Sequence, residues 1–588
     1  MRGKLSSSIF LMLAGALAVS QAQAADVDVQ GFIRFEPAIK TNDQENPFNQ
    51  HGNIFNNIPV ARDSTLFLGG PDVDTRVIGD SSADNEFNLM AGRTEIDFTV
   101  NFNSELTFFA RARGYAQPNV FDDFGSPDFF GTDLWSGDRG SFLEVNGDNF
   151  MVDLPAFYLD YNKGPLWIRA GNQQIAWGES LFFRVLDVPN GLDLRRHLIL
   201  DLVAEEFADE RVPAPGVRAS YRFGENIELE GFAQLFNPSI LPNSGTPYNL
   251  IASQFTLHQE ASFDEAQGAM NFGGRLQAQF GDLGLQFIAV NRRNPDGVFR
   301  WTASGASADL AAAPGSGAAL ALSPFSVDNT GAHSATEFFT YGGMARLNTN
   351  AAVNNAITQF VGPGLLGAIA VPTDGLTAQE LDLFFQLSGS GLRGHIERRY
   401  QRENIFGVGA NYLVTAENEW LDQLVIRAEA TLTPDKQFTD PGLSQTFIEE
   451  DEVIAAFVLE KYHRFTQDFP ATFMVLQYLY KSESDLFGRH LSGMGGTPTT
   501  SPTGDNAFHL AAFALQQPFP SLVWRADFSV LYDFQGGLLV QPALKWKPRE
   551  EWTVEAFANI LYSDGGNDDI IQTIEWADEI GLRFSYQF

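Results

Sequence analysis

The chain has 588 residues, with 73 acidic side chains against 38 lysines and arginines and a formal charge of −35 at pH 7. That balance excludes nucleic acid as a partner, and the lack of any cysteine excludes a disulfide framework and lipoprotein processing. Hydrophobic residues make up 44% of the chain and include 52 phenylalanines, yet the mean hydropathy is −0.13, as for strands that turn half their residues toward water.

In chain order, Arg2 and Lys4 precede an apolar run from Ile9 to Val19, and Ala22-Gln23-Ala24 has the A-x-A form of a cleavage site. A secretory leader over residues 1–24 is expected, with the mature chain starting at Ala25. The run is too short to span a bilayer. Ala311 to Phe325 and Phe360 to Val371 are broken by proline and glycine, so no stretch reads as a transmembrane helix. A closed barrel is the other way to pair every backbone group in hydrocarbon.

Val27 to Phe35 is the expected first strand. Lys40 to Ala91 follows as an external loop or a plug folded into the lumen. Thr94 to Phe102 alternates Ile96, Phe98, Val100 and Phe102 with Glu95, Asp97, Thr99 and Asn101, then turns at Asn103-Ser104 into Leu106 to Tyr115. Hairpins with short Asn, Gly or Ser turns recur. Val152 to Tyr161 pairs with Leu166 to Gln173, Val217 to Phe223 with Ile227 to Phe236, and Phe272 to Phe280 with Leu283 to Arg292. Ile405 to Leu413 pairs with Leu424 to Thr433, Val453 to Tyr462 with Thr472 to Tyr480, and His509 to Gln516 with Leu522 to Asp533. Leu538 to Lys547 and Trp552 to Tyr562 lead to Ile580 to Phe588.

The expected fold is all-β: one antiparallel transmembrane barrel over residues 25–588, of about sixteen strands (roughly 14 to 18, an even number). Short connections belong to the periplasm and long ones to the exterior. The long ones are Gln117 to Met151, Asn237 to Met270, an insertion from Asn294 to about Gly394, Pro434 to Asp451 and Lys481 to Asn506.

Alternation points Arg111, Arg113, Arg169, Arg218, Arg222, Arg275, Arg427, Arg525, Lys545 and Arg583 to the same side as Glu95, Asp97, Glu228, Glu230, Glu429, Asp527 and Glu555. Isolated charges there would be costly, so either the lumen is wet or the charges pair across strands. Two readings stand side by side: an arginine-lined constriction that attracts anions, and a salt-bridge lattice that stiffens the wall.

The final strand sets Ile580, Leu582, Phe584, Tyr586 and Phe588 against Gly581, Arg583, Ser585 and Gln587. It resembles the C-terminal signal of Gram-negative outer-membrane barrels, which implies recognition by the insertion machinery and closure against the first strand through Phe584, Tyr586 and Phe588.

One stretch departs from strand and turn. Arg169-Ala170-Gly171-Asn172-Gln173 leads to Trp177-Gly178-Glu179-Ser180, then Asp187-Val188-Pro189-Asn190-Gly191-Leu192-Asp193, and later Arg211-Val212-Pro213-Ala214-Pro215-Gly216-Val217-Arg218. This pattern resembles the proteobacterial outer-membrane family called domain of unknown function 1302. The acidic, helical-looking stretch from Arg195 to Glu206 does not match it. The resemblance implies an outer-membrane setting, contact with lipid and lipopolysaccharide, and an RND-type exporter as a partner. The segment 174–211 reads as a loop folded back into the barrel, either as a constriction or as internal packing. Trp177 would anchor or stack at the rim, Gly178 permits close approach, and Glu179 pairs with Arg211; Gln173, Asp187 and Asp193 complete the set.

Catalysis is not expected. His490-Leu491-Ser492 resembles the His-x-Ser pair of the outer-membrane phospholipase, but it lies in a glycine-rich loop with no third residue evident. No metal or cofactor is expected: Asp72, Asp74 and Asp564 to Asp569 read as solvated acidic loops, and His197 as a structural residue. The function expected is passage of small amphipathic or anionic molecules by diffusion through a charged lumen. The alternatives are a hydrophobic-substrate transporter with an apolar pocket or lateral opening, a structural or adhesion barrel, and a hydrolase at the rim.

Overall fold

The computed structural model describes residues 26–49, 60–62, 72–74, 86–117, 140–147, 149–195, 199, 210–243, 246–360, 369–389, 391–496 and 500–588. The leader, most of 40–91, and residues 196–198 and 200–209 of the acidic stretch, His197 among them, lie outside the described residues.

The alternating stretches form eighteen antiparallel strands. In chain order these are β1 (Asp26–Lys40), β2 (Phe87–Asn101), β3 (Leu106–Ala116), β4 (Phe150–Lys163), β5 (Leu166–Gln173) and β6 (Ala214–Phe223). Next come β7 (Ile227–Leu235), β8 (Met270–Phe280), β9 (Leu283–Arg293), β10 (Arg402–Leu413), β11 (Val425–Phe438) and β12 (Ile448–His463). The last six are β13 (Thr472–Lys481), β14 (Phe508–Pro518), β15 (Trp524–Asp533), β16 (Leu538–Trp546), β17 (Trp552–Tyr562) and β18 (Glu579–Gln587). Each pairs with its neighbours in sequence, and β1 pairs with both β2 and β18, which closes the ring. At the seam Phe35 stands opposite Phe584 and Ile33 opposite Tyr586, and the Gly31 N–H donates to the Phe588 carbonyl at 2.9 Å.

The expectation of about sixteen is corrected to eighteen. The error is in the count alone, because every alternating stretch named above is a strand of the wall. The number stays even because the first and last strands of a closed antiparallel ring must themselves run antiparallel.

Period-two alternation sorts the side chains. Val29, Phe287, Val408, Phe457, Leu476 and Ile560 are exposed on the outer face, as a lipid-facing belt requires. Aromatic rings gather at both ends of that belt. Trp524 stacks on Trp546 at 5.7 Å and Trp552 meets Tyr586 at 4.9 Å near the short turns, while Tyr532 and Phe534 meet at 5.3 Å near the long loops. Short turns use glycine where the chain must go left-handed, as at Gly281 (φ +60°) between β8 and β9.

The insertion between β9 and β10 is a folded cap. Its Leu392–Arg399 strand pairs with Val298–Trp301, with Phe325–Ala332 and, in parallel, with Phe255–His258 from the preceding long loop. The connection before β8 carries α1 (Glu260–Ala266), and the cap carries α2 (Gly317–Ala321), α3 (Ala335–Met344), α4 (Thr349–Gln359) and α5 (Asp374–Ser388). Ser334, Asn348 and Thr373 cap α3, α4 and α5 by accepting from backbone N–H groups of the first turn. Trp301, Leu310, Leu320 and Tyr341 form the centre of its own core. It rests on other long loops: Trp301 N–H donates to Leu443 O at 3.1 Å and Asn348 N–H to Pro441 O at 2.8 Å.

Candidate functional site: lumen, crossing segment and chamber

Charged side chains on the inner wall are held in pairs. Arg111 forms two 2.7 Å bonds to Asp97 and lies 3.6 Å from Glu95. Arg113 is bonded to Asp153, with its Nε 2.8 Å away. Arg169 bonds Asp160 at 2.7 Å, with its guanidinium over the Tyr158 ring. Arg218 and Arg275 share Glu230 at 2.5 and 2.7 Å. Arg427 pairs with Glu460 and, at 3.3 Å, with Glu179, while Arg525 pairs with Asp527 at 2.7 Å. Lys545 and Arg583 both reach Glu555, and Arg222 meets Glu228 at 3.4 Å in an exposed position by a short turn. Of the two readings of these charges, this geometry is the lattice.

The segment after β5 crosses the lumen. Gln173 ends β5, its side-chain amide donating to Gly216 O on β6. Trp177 is buried inside the barrel, away from the rim. Its Nε1 donates to Glu230 at 2.7 Å and its ring meets Phe232 edge-on at 5.2 Å. Gly178 adopts φ +85°, and a Cβ there would lie 3.1 Å from both Glu429 carboxylate oxygens. Glu429 serves as a backbone anchor: it accepts from Glu179 N, from Ser180 Oγ at 2.9 Å and from Leu186 N at 3.3 Å. Beyond it, Gln477 on β13 accepts from Leu181 N and Phe182 N at 3.1 and 2.8 Å. β13 stands eight strands round from β5 in a ring of eighteen, so the segment reaches almost the opposite wall. On its way it passes Gly407 and Gly409 of β10, where a Cβ would come within 2.4 and 2.9 Å of the Leu186 methyls.

The expected pair of Glu179 with Arg211 does not form. Glu179 is turned toward Asn411, at 2.7 and 2.8 Å, and Arg427. Arg211 bonds Asp187 at 2.7 Å, and Arg184 reaches the same carboxylate at 3.1 Å. Asp193 joins Arg195 and Glu144 in a buried triad at 2.8 and 2.6 Å. Burial works against the Arg195 charge, but the two carboxylates raise its pKa well above the ordinary value. Gln477, Gln234 (which donates to Pro189 O at 2.7 Å), Gly407 and Gly409 were missed from sequence. The available signal was a lone glutamine in the otherwise apolar run of β13.

Between the crossing segment and the cap lies a cavity of about 420 Å³. Phe182, Phe183 and Val185 form its floor, Leu479, Leu531 and Leu539 its wall, and Met344 and Leu347 its roof. These belong to an apolar half of the lumen in which Val458, Val475 and Leu510 also point inward. Five carboxylates line it, among them Glu210; Glu403 is held by Arg292 at 2.7 Å, Glu452 by Lys436, Asp187 as above, and Asp296 accepts from Ser239 Oγ at 2.5 Å.

The third residue that the His490-Ser492 pair lacked in sequence is Glu450. His490 Nδ1 lies 2.6 Å from Ser492 Oγ, and Nε2 lies 2.9 Å from Glu450. However, the N–H groups of Gly493, Met494 and Gly495 already donate to the carbonyls of His490, Leu491 and Asn567, so none of them is available as an oxyanion donor. His490, Glu450 and Glu483 also bring one ligand atom each within 4.8 Å of one another, a grouping able to hold a metal ion. Asp564 and Asp569 accept from backbone N–H groups of their own turn, Gly566 and Gln572. Asp72 and Asp74 lie in a short strand paired with Val60–Arg62.

A family model described as Protein of unknown function (DUF1302) matches residues 5–588. No curated protein matches the chain. Among solved structures, Acinetobacter baumannii OccAB1 is similar at 8% identity over 96% of each chain, with a TM-score of 0.41. Pseudomonas aeruginosa opdK is similar at 8% identity over 96% of this chain and 99% of that one, with a TM-score of 0.40. Escherichia coli Wzi, described as a carbohydrate-binding β-barrel involved in group 1 capsule assembly, is 10% identical over 99% of this chain and 88% of that one, with a TM-score of 0.37.

Proposed function

This chain belongs to the DUF1302 family, and from its own geometry we propose that it is a Gram-negative outer-membrane channel passing small amphipathic molecules through the apolar chamber. The carrying observation is the chamber itself, 420 Å³ of largely aliphatic and aromatic lining set in the lumen between crossing segment and cap. Salt-bridged arginines leave the wall stiff and offer a hydrophilic anion few uncommitted charges, whereas the chamber offers an apolar body a place to leave water. The exposed apolar belt with aromatic rings at both ends supports a bilayer setting. Passage is diffusive and non-covalent in this reading. Its partners are lipid and lipopolysaccharide on the belt, the insertion machinery at β18 and, by family resemblance, an RND-type exporter.

Planar-bilayer recording of the refolded chain, with and without residues 176–189, tests the proposal. Because the segment crosses the lumen, the intact chain should give small, infrequent steps and the deletion large, steady ones. Large steps of equal size from both would remove the crossing segment from the path and refute this mechanism.

A further inference from the structure

Two arginines line the chamber, each with one buried guanidinium nitrogen that has no acceptor. Arg346 joins α3 to α4 at φ +60°, a conformation uncommon for a residue with a Cβ. It is 3% exposed. Its NH1 donates to Met344 O and Gln572 Oε1, both at 3.2 Å, and its NH2 to Asp569 O at 2.5 Å. Its Nε is buried without an acceptor, and among the described residues no carboxylate makes an ion pair with it. Arg489, from the β13–β14 loop, spends Nε on Asp485 at 2.6 Å and NH1 on Thr573 Oγ1 at 3.1 Å, and its NH2 is likewise buried without an acceptor.

Both side chains line the cavity. Burial, and then repulsion from Arg489, lower the Arg346 pKa to about 9, so it stays charged at neutral pH. Asp485, Asp568 and Asp569 offset part of that charge from behind, and none of the three lines the chamber. A buried charged donor with no acceptor is costly to keep, and turning that nitrogen toward an acceptor delivered into the chamber removes that cost.

We propose that the chamber takes an anionic amphipath, its carboxylate, sulfate or sulfonate head held by Arg346 and Arg489 and its apolar body resting on Phe182, Leu479 and Leu531. This rests on the chamber being the passage site proposed above. Oxyanions that present two oxygens side by side suit guanidinium donors, and 420 Å³ falls within the range of small-molecule pockets.

The test compares two dyes that differ only in the head: 1-anilinonaphthalene-8-sulfonate and its neutral parent, N-phenyl-1-naphthylamine. Binding is measured by fluorescence on the full chain in lipid nanodiscs, with empty discs subtracted. The intact chain should bind the sulfonate about tenfold more tightly than the parent, as charge-assisted bonds predict. Arg346→Gln with Arg489→Gln should erase that preference and leave the parent's affinity unchanged, which also reports an intact chamber. Equal binding of the dyes by the intact chain, or a preference that survives the double variant, overturns the anion site while the chamber stands. If neither dye binds above empty discs, the chamber reading itself fails. Loss of both dyes in Arg346→Lys, which keeps the charge, would assign the arginine to holding the cap in shape and would overturn the proposal.

Discussion

Glu230 shows how one side chain can hold several others in place. Its carboxylate, nearly buried, is shared by Arg218, Arg275 and the Trp177 indole. Glu230→Ala leaves two cations and an indole N–H without their acceptor, and should cost about 3–5 kcal/mol, read as a lower urea midpoint for loss of the folded, heat-modifiable band. Glu228→Ala on the same strand removes only the exposed partner of Arg222 and should shift stability by about 0.5 kcal/mol or less. The inward direction of Glu230 was legible from alternation on β7. Its indole partner was not, because Trp177 lies 53 residues away in a segment without periodicity. The supposed Glu179–Arg211 pair failed for the same reason: opposite charges in an aperiodic stretch carry no information about which will meet.

Among the elements, the wall strands were readable because each obeys a two-residue period, and the cap was not. Leu392–Arg399 has no clean alternation, and its parallel partner Phe255–His258 comes from another long loop. At that junction His395 packs against His258, nitrogen to nitrogen at 3.0 Å, and meets Ser326 Oγ at 2.8 Å. Burial first, then His258 and Arg393, lower its pKa to about 4, with Asp328 opposing. The folded cap therefore holds the neutral ring. An unfolded cap takes up a proton below the ordinary value near 6.5, so the stability tied to this histidine is complete above that pH and falls away as pH drops toward 4. Amide exchange across 392–399, corrected for intrinsic rate, should be steady from pH 8 to 7 and several-fold faster at pH 4.5. His395→Asn should lose that extra acid sensitivity. β13 held a missed clue of another kind: Phe473, Val475, Leu476 and Leu479 make both of its faces apolar, and a wall strand apolar on both faces implies an apolar lumen beside it.

For the whole molecule, the belt sets a depth scale. Val408 is exposed midway along β10 beside Phe287, and Tyr412 lies near the short-turn end. Val408→Arg should cost about 2–4 kcal/mol and Tyr412→Arg about 0–1 kcal/mol in lipid unfolding titrations; equal costs would contradict the assigned belt. The barrel class could be read in advance since it depends on local periodicity. The blocked, half-apolar lumen could not, as it depends on which distant groups meet. The crossing segment also has a consequence in time. Phe182 and Leu186 dock on groups 295 and 243 residues further along the chain, so this crossbeam cannot seat until most of the ring exists. Contacts of such separation form late and slowly. Removing 176–189 should leave the rate of strand formation in vesicles unchanged and abolish the slowest phase of the gel-mobility shift. The part that crosses the finished barrel would then also be the last piece of it to arrive.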